Sequence, residues 1–370
     1  MSIRRTIVAA CALTLVAAGV TTTGAGAQPG GRVPPPIRNV FVVNLENKGY
    51  DETFGPASPA TYLTQVLRPR GVLLTQYYGT AHASLGNYIA QISGQGPNAA
   101  TQSDCQFYTD FRGAGTVAPQ QAVGQGCVYP ASVQTLADQF TAGGLNWKGY
   151  MEDMGNSPTE PATCRHPALN TQDETQIARA GDQYAARHNP FVYFHSIIDS
   201  PACSERVVPL DRLDADLARR TATPNLGYIT PNLCNDGHDD QCVDGREGGL
   251  VAADQWLAAW IPKILKSRAF RQAGLLIVTF DESEANDASA CCGEGPGPNS
   301  PLPGITGRGG GRTGAVVVSP FIRPGGWNDT GYNHYSLLCS IEEIFGLPKL
   351  GYARQPGMPC FGTDVYTTLN

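Results

Sequence analysis

The sequence predicts an α/β fold, a three-layer sandwich in which helices cover both faces of a mostly parallel sheet. Three observations carry this. Apolar runs of strand length recur along the chain, helix-period patterns fall between them, and polar residues cluster where two of those runs end. Folds of this kind collect ligands at the carboxyl ends of their strands.

Taken in order, residues 1–27 read as a leader. Arg4 and Arg5 start it, residues 7–20 are apolar, and Ala25-Gly26-Ala27 offers a small-residue cleavage site. The apolar stretch is too short for a retained membrane span. Cleavage after Ala27 leaves residues 28–370 as one exported domain, since no linker-like break or internal repeat divides it. Residues 28–37 form a Pro/Gly-rich lead-in. The first strand is NVFVVNL, residues 39–45, and further strands are expected at 72–78, 147–151, 191–194, 226–230, 275–280 and 315–318. Helical patterns occupy 130–140, 171–187 and 210–220. Residues 249–266 set Leu250, Val251, Trp256, Leu257, Trp260, Ile261 and Leu265 along one stripe, with Pro262 expected to kink or split the helix. The last helix covers 334–345 and stops at Gly346 and Pro348. Residues 285–311, rich in Gly and Pro, make a long loop beside the rim.

Charge and cysteine usage narrow the setting. Loss of Arg4 and Arg5 takes the net charge from −6 to −8, because the leader holds no acid. An acidic balance argues against nucleic acid as a partner, and basic runs that would hold an anionic membrane are missing. Ten cysteines remain once Cys11 leaves. An even number in an exported chain favours disulfides, and no C-x2-C pair supports a zinc ribbon. Local pairing gives Cys105–Cys127, Cys164–Cys203, Cys234–Cys242 and Cys339–Cys360, with Cys291 and Cys292 left over.

Five islands carry chemistry. Glu46-Asn47 follows the first strand, where a carboxylate and an amide oxygen suit a hard cation; turn chemistry is the competing reading. Ser84 precedes the helical pattern at 87–92. It is either an N-cap or a nucleophile set against a helix start that favours phosphate, with His82 and Asn87 near enough to orient a phosphoryl group. The run Asn235-Asp236-Gly237-His238-Asp239-Asp240 mixes oxygen and nitrogen donors, as a zinc-like ion needs, although solvated loops are also this polar. Asp281-Glu282 ends the run LLIVTF. Adjacent acids there repel unless a cation lies between them, or unless they open a helix. His334 starts the last helix and is either structural or a ligand. Arg312, after a glycine run, is a fork donor for phosphate or a solvated loop residue. Together the islands point to metal-assisted hydrolysis of a phosphate ester.

With these residues in order, the chain resembles the secreted phosphoesterase family of the alkaline phosphatase superfamily, which includes bacterial acid phosphatases and phospholipases C. ENxxxDxxFG matches Glu46-Asn47, Asp51 and Phe54-Gly55, and PNxxNDxHD matches residues 231–239. T-[WYF]-DE matches 279–282, and HYSxLxxIExxFGLPxLG matches 334–351. The acid phosphatase pattern THPSxPNYxALxSG matches 81–94 only in part, with Ala81, Ala83, Gly86 and Gln91 at its Thr, Pro, Pro and Leu. Within the family the chain looks most like secreted mycobacterial acid phosphatases that act on phosphoinositides.

The resemblance implies an alkaline-phosphatase-like sandwich and a secreted phosphomonoesterase that passes through a phosphoserine at Ser84. Glu46, Asn47, Ser84, Asp281 and Glu282 would surround a divalent metal (Zn, Mn, Ca or Mg). Asp236, His238 and His334 would bind a second metal or act on the phosphate and leaving group. The partner is then a phosphate ester, either a small molecule or a phosphoinositide headgroup, with no nucleic acid and no transmembrane segment. Two other readings stand beside it: a phospholipase C-like phosphodiesterase, and a secreted binding protein without turnover. Ser283 and the Cys291-Cys292 loop depart from the family pattern after its DE pair.

Overall fold

The computed structural model describes residues 34–366; the expected leader and its cleavage site lie outside them. An eight-stranded sheet runs through the centre. Its strands are β1 Asn39–Leu45, β2 Val72–Leu74, β3 Trp147–Met151, β4 Val207–Pro209, β5 Leu226–Thr230, β6 Gly274–Phe280, β7 Ala315–Val318 and β8 Gly326–Asn328. Their spatial order is β8-β2-β7-β6-β1-β5-β3-β4. All neighbours pair in parallel except β7, which runs against both β6 and β2.

Strand alternation builds two cores from one sheet. Val40 and Val42 of β1 face one side, while Phe41, Val43 and Leu45 face the other. Both sets are fully buried, so neither face of the central strands meets water. Helix α1 (Ser84–Ser93), α2 (Leu136–Ala142) and α6 (His334–Phe345) pack on the first face. The second is covered by α3 (Arg212–Ala218), α4 (Gly249–Lys266) and α5 (Arg268–Ala273). This is the expected sandwich. No helix among the described residues is long and apolar enough to cross a membrane.

Several elements differ from expectation. Residues 171–187 are not a helix: a two-residue strand, Thr171–Gln172, gives way to turns. Their polar side chains are spent on local and tertiary bonds, such as Asp173 accepting from Thr175 and Gln176. Residues 191–194 are not a strand, because Pro190 opens a 3-10 turn over Pro190–Tyr193. The expected strand at 72–78 is two pieces, Val72–Leu74 in the main sheet and Tyr77–Tyr78 paired with Tyr332–Asn333. Pro262 does not split α4, which continues to Lys266. Helix α6 ends as expected, with Gly346 left-handed at φ 65°.

The four local cysteine pairs are joined as expected, and Cys291 is joined to Cys292.

Candidate active site

Register builds the rim. β1 and β6 pair in parallel up to Leu45↔Phe280, so Glu46 and Asp281 leave the sheet side by side. Main-chain bonds fasten a third segment to this edge. Asp281 N–H donates to the Leu45 carbonyl, and Glu46 N–H to the Asp236 carbonyl, each at 2.9 Å.

Ser84 is the first residue of α1. Its hydroxyl donates to Glu46 Oε2 at 2.9 Å. Tyr88, one turn further on the same helix face, donates its hydroxyl to Glu46 Oε1. The capping reading of Ser84 does not hold: Ala83 occupies the N-cap and has no capping group. Asp104 takes over from a neighbouring loop, accepting the Leu85 N–H at 2.9 Å.

Asn47 sits in the left-handed region at φ 52°, and its N–H donates to Asp281 Oδ1 at 3.1 Å. Its side-chain oxygen faces Asp281 Oδ1 at 3.2 Å and Glu282 Oε1 at 3.3 Å. Three oxygens so placed repel unless a cation lies among them or the amide turns over to donate.

His188 completes the group, and the sequence reading did not anticipate it. Its Nδ1 lies 3.1 Å from Asp236 Oδ2, and its Nε2 lies 3.4 Å from Glu46 Oε2. Arg187, next to it and also buried, reaches His238 Nε2 at 3.2 Å. A guanidinium only donates, so His238 accepts there and carries its proton on Nδ1, which meets Asp239 Oδ1 at 2.8 Å. The available signal was the dipeptide Arg187-His188 before Asn189-Pro190, which a helical reading of 171–187 obscured.

The electrostatics describe a crowded anionic site. Burial, followed by the Asp281 and Asp236 charges, holds the Glu46 carboxyl well above the usual range. Burial does the same to Asp236 and pushes Asp281 up to about 8. Burial also holds His188 well below the ordinary imidazole value, helped by Arg187 and His238. Asp281 Oδ2 and His188 Nε2 are buried without hydrogen-bond partners. Glu46, His188 and Asp236 each present a ligand atom, all within 4.8 Å of one another. These residues fit a divalent cation. Orphaned lone pairs and close carboxylates are costly in a dry site and become ligands once positive charge is among them.

The structure thus brings Glu46, Asn47, Ser84, Asp236, Asp281 and Glu282 together, with His238 at the edge. Four other expected residues have protein partners. His334 has both ring nitrogens engaged, Nδ1 with the Tyr77 hydroxyl at 3.0 Å and Nε2 with the Asp281 carbonyl at 2.5 Å. Through that carbonyl it braces Asp281. Asn87 accepts from Thr80 N–H and Ala81 N–H and donates to the Ala81 carbonyl, so it ties the loop before Ser84. His82 is held between Glu282 and the Asp287 carbonyl. Arg312 pairs with Asp51 at 2.8 Å and lies over the Tyr50 ring, which satisfies its charge elsewhere.

Comparison with known proteins gives the chain its relatives. A model of the Phosphoesterase family matches residues 58–348. Ser84, His188, Asp236, His238, Asp281 and Glu282 fall inside this span, and Glu46 and Asn47 precede it. The phosphate-repressible acid phosphatase of Penicillium chrysogenum is 26% identical over 307 residues, 83% of this chain and 58% of that protein. The phosphatidylinositol-3-phosphatase of Mycobacterium tuberculosis is 23% identical over 319 residues, 86% of this chain and 80% of that protein. The chain spans less than two thirds of the length of the fungal acid phosphatases it matches. A solved structure of an alkaline phosphatase superfamily protein from Vibrio parahaemolyticus is 13% identical with a TM-score of 0.47, covering 86% of this chain and 70% of that one.

Proposed function

The chain belongs to the phosphoesterase family, and from that premise we propose that it is an exported, metal-dependent phosphomonoesterase with Ser84 as nucleophile. One observation carries the reading: the Ser84 hydroxyl donates to Glu46 Oε2 at 2.9 Å inside a buried group of carboxylates. A serine there has a proton acceptor in place and a site built for charge. Glu46, Asn47, Ser84, Asp281 and Glu282 would hold a divalent cation, with His188 and Asp236 as further donors beside Glu46. Such a cation would neutralise the carboxylates and offset charge on the phosphoryl oxygens.

The chain's own groups divide the work. Glu46 Oε2 takes the Ser84 proton as Oγ forms its bond to phosphorus and the ester P–O bond breaks, and that proton passes to the departing oxygen. The positive end of α1 faces the phosphoryl group, whose added charge it stabilises. His334, through the Asp281 carbonyl, and Asn87, through the loop before Ser84, fix the two reacting edges. Water then attacks the phosphoserine: its oxygen bonds phosphorus as the P–Oγ bond breaks, one of its protons passes to Ser84 Oγ, and phosphate is released. Relatedness to the mycobacterial phosphatidylinositol-3-phosphatase supports phosphoinositides as the substrate class.

The test is p-nitrophenyl phosphate hydrolysis by the disulfide-intact protein, with and without chelator, with Mn, Zn, Ca and Mg added back. Activity should be lost with chelator, return with metal, and fall at least roughly a thousandfold in Ser84→Ala. Equal or faster turnover of bis(p-nitrophenyl) phosphate would make the enzyme a phosphodiesterase instead. No hydrolysis of either ester under any metal would replace catalysis with a binding role.

A further inference from the structure

The two oxygens of Glu46 are claimed separately by one helix. Ser84, at the start of α1, donates to Oε2 at 2.9 Å, and Tyr88, one turn on, donates to Oε1. His188 Nε2 also lies against Oε2, at 3.4 Å. Tyr88 is fully buried, and its hydroxyl makes no other hydrogen bond among the described residues.

The same tyrosine holds a second donor of the site. Its ring stacks on the His188 imidazole, with centroids 5.3 Å apart and planes 5° from parallel. That contact keeps His188 turned with Nδ1 toward Asp236 and Nε2 toward Glu46. Tyr228 meets the Tyr88 ring edge-on, with centroids 6.3 Å apart. The Tyr228 hydroxyl donates to Gln91 Oε1 at 2.8 Å, and Gln91 Nε2 donates to Asn44 Oδ1 at 3.0 Å. Tyr88 and Gln91 of α1 are thus bonded to Glu46 and Asn44, alternate residues at the end of β1. Gln91 stands where the acid phosphatase pattern has Leu, and a Leu there would leave that link unmade.

A carboxylate binds a cation through one oxygen or through both, and the choice is linked to the ion. Calcium takes roughly six to eight oxygens in flexible sets and accepts carboxylates through both, whereas Mn2+ and Mg2+ favour compact octahedral sets. Drawing Glu46 Oε1 onto an ion would strip the Tyr88 hydroxyl of its acceptor inside a dry core. It would also turn the carboxylate away from Ser84. We propose that Tyr88 is a positioning residue that confines Glu46 to ligation through Oε2 alone, and so biases the site toward Mn2+ and against Ca2+. The inference rests on the reading of these residues as a metal-dependent phosphoesterase site.

The experiment titrates Mn2+ and Ca2+ separately into the chelator-treated, disulfide-intact protein by calorimetry, which needs no substrate or turnover. The wild type is expected to bind Mn2+ the more tightly. Tyr88→Phe keeps the ring and its stacking on His188 while freeing Oε1. It should move the Ca2+ to Mn2+ affinity ratio toward calcium roughly tenfold. Affinity is read on the binding-competent fraction, so partial unfolding of a variant does not imitate the shift. On p-nitrophenyl phosphate with saturating Mn2+, kcat of Tyr88→Phe should fall roughly tenfold or more with KM little changed, because the acceptor for Ser84 is no longer fixed. Tyr228→Phe deletes a neighbouring buried hydroxyl that bonds Gln91 instead of Glu46, and should leave the affinity ratio at the wild-type value. A wild type that prefers Ca2+, an unshifted ratio in Tyr88→Phe, or an equal shift in Tyr228→Phe would overturn the proposal. A shifted ratio in a protein that hydrolyses no phosphate ester would uphold the role of Tyr88 and sink the phosphatase reading. Ser84-dependent hydrolysis with an unshifted ratio would do the reverse.

Discussion

Asp104 shows how one side chain can position Ser84, the proposed nucleophile, from a neighbouring loop. Helix α1 starts at Ser84 with an N-cap, Ala83, that cannot accept a hydrogen bond, and Asp104 Oδ1 receives the Leu85 N–H in its place. Its own backbone is left-handed at φ 51°, as is that of Cys105, which the bridge to Cys127 anchors. Asp104→Gly keeps that backbone comfortable and removes only the acceptor. It should cost about 1 kcal/mol, the usual worth of an N-terminal cap, and lower kcat by shifting Ser84. Asp104→Asn keeps an oxygen and should preserve most of both. Thermal melts and p-nitrophenyl phosphate kinetics on the pair check this; equal melting temperatures for Gly and Asn would show that the bond holds nothing in place.

The last helix carries a cost of another kind. Glu342 is fully buried on α6; one oxygen accepts the Leu350 N–H at 2.8 Å and the other has no partner. Burial pushes its carboxyl up to about 8, against the pull of the Leu350 N–H and Lys349. A carboxyl raised in the fold favours the folded state while protonated. Its contribution is full below the ordinary carboxylate range and is lost as pH rises through about 8. Glu342→Gln keeps the acceptor for Leu350 and cannot ionise. It should raise the melting temperature by roughly 2 °C or more at pH about 8 and change it little near pH 5. An equal shift at both pH values would mean that packing, not charge, decides this position. The sequence placed α6 and its Gly346 stop because the periodicity and the stop signal are both local. It did not place the turns at 171–187, where polar side chains bond to partners far along the chain, as Gln176 does to Asp104.

At the scale of the molecule, three strands of one sheet deliver acids to a single buried point. Glu46, Asp236 and Asp281 all have raised carboxyls, and Asp281 ionises near 8 without a cation. The metal-free fold should therefore lose stability as pH rises from the ordinary carboxylate range toward about 8, while a bound cation favours the ionised forms. The gap in melting temperature between metal-loaded and chelator-treated protein is expected to widen from about pH 5 to about pH 8. Differential scanning fluorimetry reads this directly; a gap that is absent or independent of pH would sink the metal assignment. The sequence by itself determined strands β1, β3, β5, β6 and β7 and the acids that follow β1 and β6. A run such as GLLIVTF is stable only when buried on both faces, so the acids after it must emerge at the rim. Tertiary structure alone decided which groups complete the site. His188, Arg187 and Asp104 arrive from segments whose position depends on long-range bonds, and they carry no periodic signal of their own. It also decided where expected groups point, since His334, Asn87 and Arg312 found partners on other elements that turn them into braces. Burial and backbone follow from local pattern, whereas the direction of a polar side chain follows from whichever distant donor or acceptor the fold brings within reach.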